Sequence, residues 1–368
     1  MLGSLDRIAA IFTKEVTQLK SDRITFGMVV MIPLLQLLLF GYTINTDVRN
    51  VPIAVVDEAC TSFSRQLVKD LEATQVVTVK GYFRTPGEVA QAVSDGAYSA
   101  GLIIPADTER RYYAQAGEPL AQLVVDASDT VVGSAMKSLA GFPFAPGQVL
   151  SNSESAGTLA VTLLYNPELR SPLFIVPGLL GVILTMTMTM FTAIAIVRER
   201  ERGNMELLIA TPVRPIELMI GKLAPYMVIG MVQVAIILAL GAWLFDVRVS
   251  GNYALLAFSC LVFIFANLGM GLLISTKAPN QLGAMQMFVF IFLPSILLSG
   301  FMFPYVAMPE VAQWLAEILP MTHFLRVVRG IVLRDASFVA VQMDLLYLAG
   351  FFVVTLALSL LGFRQKLD

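Results

Sequence analysis

The sequence predicts an α-helical polytopic membrane protein, six transmembrane helices with an extracytoplasmic α/β domain inserted between the first and second. Three observations carry that prediction. Of 368 residues, 57% are hydrophobic and only 14% charged, against about 25% charged in ordinary soluble domains. The apolar residues are gathered into separate blocks without charges. The Lys and Arg of the short connections between those blocks fall mostly on one side.

The blocks set the spans. A helix rises about 1.5 Å per residue, so about 20 apolar residues cross a hydrocarbon core of about 30 Å. Six stretches reach that length without an Asp, Glu, Lys or Arg: Thr25 to Ile44, Leu173 to Val197, Leu223 to Phe245, Tyr253 to Ser275, Leu282 to Phe303 and Leu345 to Phe363. Pro33, Pro177, Pro225 and Pro294 sit in or near them. They need not split the spans, because neighbouring helices can satisfy the carbonyls that a proline frees. The first stretch is too long and too internal for a cleaved signal, follows basic residues and lacks a clear small-residue cleavage site, so it reads as a signal anchor.

Orientation follows from the basic residues of the short loops. Arg7, Lys14, Lys20, Arg23, Arg198, Arg200, Arg202, Arg214, Lys222, Lys277, Arg364 and Lys366 lie on one side, and Arg248, Arg326, Arg329 and Arg334 on the other. Both termini are therefore expected in the cytoplasm. The resulting organisation is an amphipathic interfacial helix over 1–24, the first span over 25–44, an extracytoplasmic domain over 45–171, and a five-helix region over 172–368. The last contains a cytoplasmic loop at 198–222 and a re-entrant outer loop at 304–341.

Residues Leu5, Ile8, Phe12, Val16 and Leu19 recur at helical spacing, with Arg7, Lys14 and Gln18 opposite. That is the pattern of a helix lying in the membrane interface, or of an ordinary surface helix. In the polar insert, Pro52 to Val56, Val76 to Val79, Gly101 to Ile104 and Leu123 to Val125 read as strands. Ser62 to Glu72 and Pro86 to Asp95 read as helices, the first capped by Thr61 or Ser62. Val131 to Thr158 is richer in Gly, Ser and Pro. In the outer loop, the stretch around Trp314, Leu315, Ile318 and Leu319 and the stretch Thr322 to Leu333 are too short to span. They read as re-entrant or interfacial helices with Trp314 at headgroup level.

Several functions are disfavoured. A net charge of −2 gives no sign of nucleic-acid binding, and Cys60 and Cys260 make no disulfide framework. His323 is the sole histidine, so a histidine-rich metal site is excluded and a membrane-embedded hydrolase lacks an obvious base and nucleophile. A sensor would need a cytoplasmic output domain larger than the short tails. The spans as drawn hold no ionisable group, which argues against a proton relay. No GxxxxGK[ST] motif occurs, so the driving energy is expected from another subunit.

The loop after the second span reads Arg198-Glu199-Arg200-Glu201-Arg202-Gly203-Asn204-Met205-Glu206-Leu207-Leu208, with Pro212 and Pro215 beyond. Alternating charges lead into a short helix stopped by prolines. It admits two readings, a solvated connector or a docking helix pushed by a partner. Thr185, Thr189 and Thr192 share a helix face and, with Asn267 and Gln286, offer uncharged polar groups within the spans. They suit a substrate path, or hydrogen bonds that pack helices together.

Three signatures in order then resemble the ABC transporter type-2 permease family: Tyr165-Asn166-Pro167-Glu168-Leu169-Arg170-Ser171 before the second span, the RERERGNMELL…TPVRP…GK loop ending at Lys222, and LSGFMFP…MPE…LP before the sixth. The resemblance covers essentially the whole chain. It implies the permease subunit of a multidrug-type exporter in a bacterial inner membrane, working as a dimer with a second copy or a related permease. Two ATPase subunits would bind ATP and Mg, so this chain would need no cofactor and no catalytic residue of its own. It also implies that Glu199, Arg200, Glu201, Gly203 and Glu206 serve ATPase coupling. A periplasmic adaptor would suit the outer domain, and small amphiphiles, drugs or lipids are the expected cargo.

Overall fold

A computed structural model describes residues 48–114, 118–141, 158–202 and 215–364. The predicted interfacial helix and first span lie outside these residues, as do Gly203 and Glu206.

The polar insert is built on a five-stranded sheet in the order β2-β1-β3-β4-β5. The strands are β1 Val51–Asp57, β2 Val77–Tyr82, β3 Ala100–Ile104, β4 Ala121–Asp126 and β5 Leu159–Leu164. β1 is parallel to both β2 and β3, β3 is antiparallel to β4, and β4 is parallel to β5. The register aligns Ile53 with Ala100, Ala100 with Val125, and Val125 with Leu163. Successive residues of a strand face opposite sides. Val51, Ile53 and Val55 thus join the larger core with Leu67 and Leu71, whereas Ala54 and Val56 meet Val89 on the other face. Both faces are covered, which explains why these runs are almost uninterruptedly apolar.

The flanking helices are α1 Ser62–Ala73, α2 Pro86–Ser94, α3 Thr108–Ala114 and α4 Thr130–Ser138. Thr61 caps α1: its hydroxyl accepts from the Ser64 amide while the Ser64 hydroxyl accepts from the Thr61 amide. Asp129 caps α4 by accepting from the Val131 and Val132 amides. That cap lets a helix form within the stretch whose composition suggested only Gly, Ser and Pro. β5 is also additional to the predicted strands. It pairs only with β4, at the edge of the sheet, and of its residues only Leu159 is buried.

Among the described residues five helices are long and apolar enough to cross a membrane. The first is a continuous rod, Ser171–Glu201, made of α5 Ser171–Leu184, a π-helical turn at Thr185–Thr189, and α6 Met190–Glu201. The others lie in α7 Pro215–Phe245, α8 Tyr253–Lys277, α9 Gln281–Leu298 and α12 Phe338–Arg364. Between α9 and α12 stand α10 Glu310–Glu317 and α11 Pro320–Arg334. α8 is the central helix, with 67% of its apolar window enclosed against 17% for that of α7. α7 instead turns Val228, Val232, Ile236 and Leu240 outward, the surface expected where lipid is the solvent.

Three boundaries differ from the sequence expectation, the first being that of α7, which begins at Pro215 instead of Leu223. α9 stops at Leu298 instead of Phe303, because Gly300 takes φ 84° and turns the chain. α12 begins at Phe338, so Asp344 lies inside an apolar helix. The expectation that the spans carry no ionisable group is therefore corrected. A carboxyl is tolerated there because it has a partner, His323, whose Nδ1 stands 2.6 Å from Asp344 Oδ1.

Candidate functional site

Three polar clusters interrupt the apolar packing. The first is at the π turn. A π turn accommodates one extra residue in a helix and frees backbone groups. Thr187 satisfies one of them, donating to the Ile183 carbonyl at 2.7 Å, and it also lies 2.9 Å from Gln233 Oε1 on α7. Thr185, Thr189, Thr192 and Asn267 are all buried. The structure brings Thr189 and Asn267 together, hydroxyl to amide oxygen at 3.2 Å, while Asn267 Nδ2 donates to the Phe263 carbonyl at 2.9 Å. α8 can come this close because Gly271 faces them: a Cβ there would lie 2.7 Å from the Thr189 carbonyl oxygen and 2.8 Å from Thr192 Cβ. The Thr185 and Thr192 hydroxyls have no partner among the described residues. Gln286 does not join this group. It lies half-buried on α9, off the face on which Ala284 and Phe288 pack against Ala193 and Val197.

The second cluster is at the end of α6. Arg200 donates to the Ser275 carbonyl at 3.2 Å and to that of Ala278, at the C-terminus of α8. Glu201 accepts from the Gln281 amide at 2.9 Å and from its side-chain amide, at the N-terminus of α9. Cation and anion thus each meet the helix end whose dipole they complement. Glu199 precedes this clasp as a half-buried residue of α6. The sequence showed the alternating charges but not Gln281, whose pairing with Glu201 bridges 80 positions.

The third cluster sits where α10, α11 and α12 meet. His323 is buried in α11. Its Nδ1 faces Asp344, its Nε2 lies 2.9 Å from the Glu317 carbonyl, and its ring stacks on Tyr347 at 3.8 Å. Arg326 grips Glu317 with both terminal nitrogens, one at 3.1 Å, and lies 4.5 Å from the centre of the Tyr305 ring. The Tyr305 hydroxyl donates to the same carboxylate at 2.5 Å. Burial pushes the Glu317 carboxyl up, but the hydrogen bonds from Arg326 and Tyr305 outweigh it and hold it below the usual carboxylate range. One signal could have revealed this cluster: His323, Arg326 and Arg329 recur every third residue, a polar stripe on an otherwise apolar helix. Among the described residues no group of three or more His, Cys, Asp or Glu could hold a metal.

The Tyr165–Ser171 signature forms the joint between sheet and helices. Asn166 closes a tight turn, accepting from the Arg170 amide at 2.8 Å and donating to the Arg170 carbonyl at 3.1 Å. The Tyr165 hydroxyl reaches Ser94 at 2.9 Å, and Arg170 donates to the Phe245 carbonyl of α7 at 2.7 Å.

The probable multidrug ABC transporter permease YbhS of Escherichia coli is 29% identical over 98% of both chains. YbhR of the same organism, similarly described, is 29% identical over 90% of this chain and 91% of its own. The Escherichia coli inner membrane transport permease YhhJ is 24% identical over 91% and 93%. Residues 20–361 match the family described as ABC-2 family transporter protein, and the chain therefore belongs to that family.

Proposed function

We propose that this chain is the membrane-spanning permease subunit of an ATP-binding-cassette exporter. It carries small amphiphilic, drug-like or lipid molecules out of the cytoplasm or inner leaflet. The relatives named as multidrug permeases support that cargo class. In this reading the stretch 25–44 is a sixth span, the sheet unit is extracytoplasmic, and both termini face the cytoplasm of a bacterial inner membrane. A second permease copy or a related permease completes the pathway, separate ATPase subunits hold ATP and Mg, and a periplasmic adaptor can seat on the outer domain.

The observation that carries the proposal is the clasp of Arg200 and Glu201 on the α8–α9 turn. An ATPase that pushes on the loop 203–214 then moves α6, α8 and α9 together. Glu199, Gly203 and Glu206 meet the ATPase in this mechanism, whereas Arg200 and Glu201 relay its stroke. Thr185, Thr189, Thr192, Asn267 and Gln286 line the path when α6 and α8 separate.

The test is gentle extraction of the tagged chain from its native membrane, followed by mass spectrometry and an ATPase assay. A Walker-motif ATPase should co-purify in near-equal amount, and Glu199→Lys with Glu206→Lys should abolish coupled turnover while leaving insertion intact. Recovery of the chain alone in several detergents would overturn the proposal.

A further inference from the structure

Among the described residues the sheet unit meets the helical part through one close ion pair. Arg334, the last residue of α11, places Nη1 3.2 Å from Asp126 Oδ2 at the end of β4, and the two side chains are only 16% and 13% exposed. Space for that guanidinium exists because position 96 is glycine: a Cβ on Gly96 would overlap it. One turn earlier on α11, Arg329 lies 4.0 Å from the centre of the Phe174 ring and donates to the Gly300 carbonyl at 3.0 Å, at the end of α9. Its Nε and Nη2 are shut off from solvent without an acceptor among the described residues. The half-buried Asp129 feels that charge without an ion pair to it, its carboxyl accepting instead from the Val131 and Val132 amides, and desolvation raises its pKa. α11 itself is enclosed, with twelve of its fifteen residues buried.

We infer that Asp126 and Arg334 are positioning residues for transport. They form a reversible ionic latch through which the sheet unit holds α11 over the end of the helical bundle, and the latch opens once in each cycle. Interdigitated apolar packing re-forms only in one arrangement. A single ion pair can separate, hydrate and close again. The incompletely paired Arg329 favours opening, since two of its nitrogens are dehydrated in the closed joint and regain water when it parts. This inference rests on the exporter reading above.

Ser128 lies between Asp126 and Asp129, 6% exposed, with its hydroxyl buried, and so reports on the joint. In a Cys60→Ser background, Ser128→Cys is introduced into the full complex from native membranes, and its reaction with a bulky maleimide is timed. Labelling should be slow at rest and rise at least about tenfold with ATP and Mg, within the range usual for coupled sites. Arg334→Asp should give fast labelling without nucleotide. Arg334→Lys should keep it slow at rest, and the exchanged pair Asp126→Arg with Arg334→Asp should restore protection and ATP dependence together. Arg334→Asp labelling no faster than its parent would overturn the latch. So would a rate unmoved by ATP in a preparation that hydrolyses it. A preparation without ATP turnover counts against the exporter reading instead, and the charge variants alone then decide the latch.

Discussion

Thr189 and Asn267 show how a polar pair deep between apolar helices is settled by one glycine. Gly271 lets α8 approach until hydroxyl and amide meet, and the remaining Asn267 donor goes to its own helix. Interhelical bonds of this kind contribute about 0.6 kcal/mol on average and up to about 1.7 kcal/mol. Thr189→Val should therefore lower stability within that range in detergent unfolding, and a double-mutant cycle with Asn267→Leu should return coupling of the same size. No coupling between them would dissolve the pair. At this scale the sequence was partly legible. The Thr61 cap follows from hydroxyl chemistry before an apolar-periodic run. Asp344 was not legible as a member of a span, because a search for charge-free blocks starts the last helix one residue after it. Its acceptability depends on His323, 21 positions away, and no local pattern encodes that partner.

At the scale of elements, the π turn is the feature that periodicity conceals. Met186, Met188 and Met190 alternate with Thr185, Thr187 and Thr189, and the run reads as an ordinary apolar helix. Only the extra residue per turn, with Thr187 bonded to Ile183 and Gln233, marks it. Removing one residue there should leave α6 on its present face, since the turn exists to absorb that residue. Removing Leu179 from α5 should rotate everything beyond by about 100° and take Arg200 and Glu201 off the α8–α9 turn. Deletion of Met186 is thus expected to give a monodisperse protein in size-exclusion chromatography, and deletion of Leu179 an aggregated one. Equal behaviour of the two would refute the bulge. The strands show the same division. β1, β3 and β4 announce themselves as apolar runs covered on both faces, whereas the edge strand β5 emerges from a Gly-, Ser- and Pro-rich neighbourhood and is fixed only by β4.

For the whole molecule, the class of protein was open to reading because length and apolarity act together: an uncharged block of about 20 residues has few fates besides crossing a bilayer. How the parts meet was not, since Asp126–Arg334, Glu201–Gln281 and Tyr165–Ser94 join residues far apart in the chain. Orientation is the property most open to direct measurement. Cys60 is exposed on the sheet unit and Cys260 is buried in α8. In intact cells an impermeant maleimide should modify Cys60 and spare Cys260; Cys60 reacting only after the membrane is breached would invert the topology. The mixed sheet carries a last consequence. Because β3 and β4 run in opposite directions, the start of β1 stands level with the finish of β5, so the chain comes in and goes out through one doorway. An all-parallel sheet would have left those two points at opposite ends. The two chain ends of the sheet unit therefore lie side by side, so a unit of different size with the same end spacing could take its place in the chain.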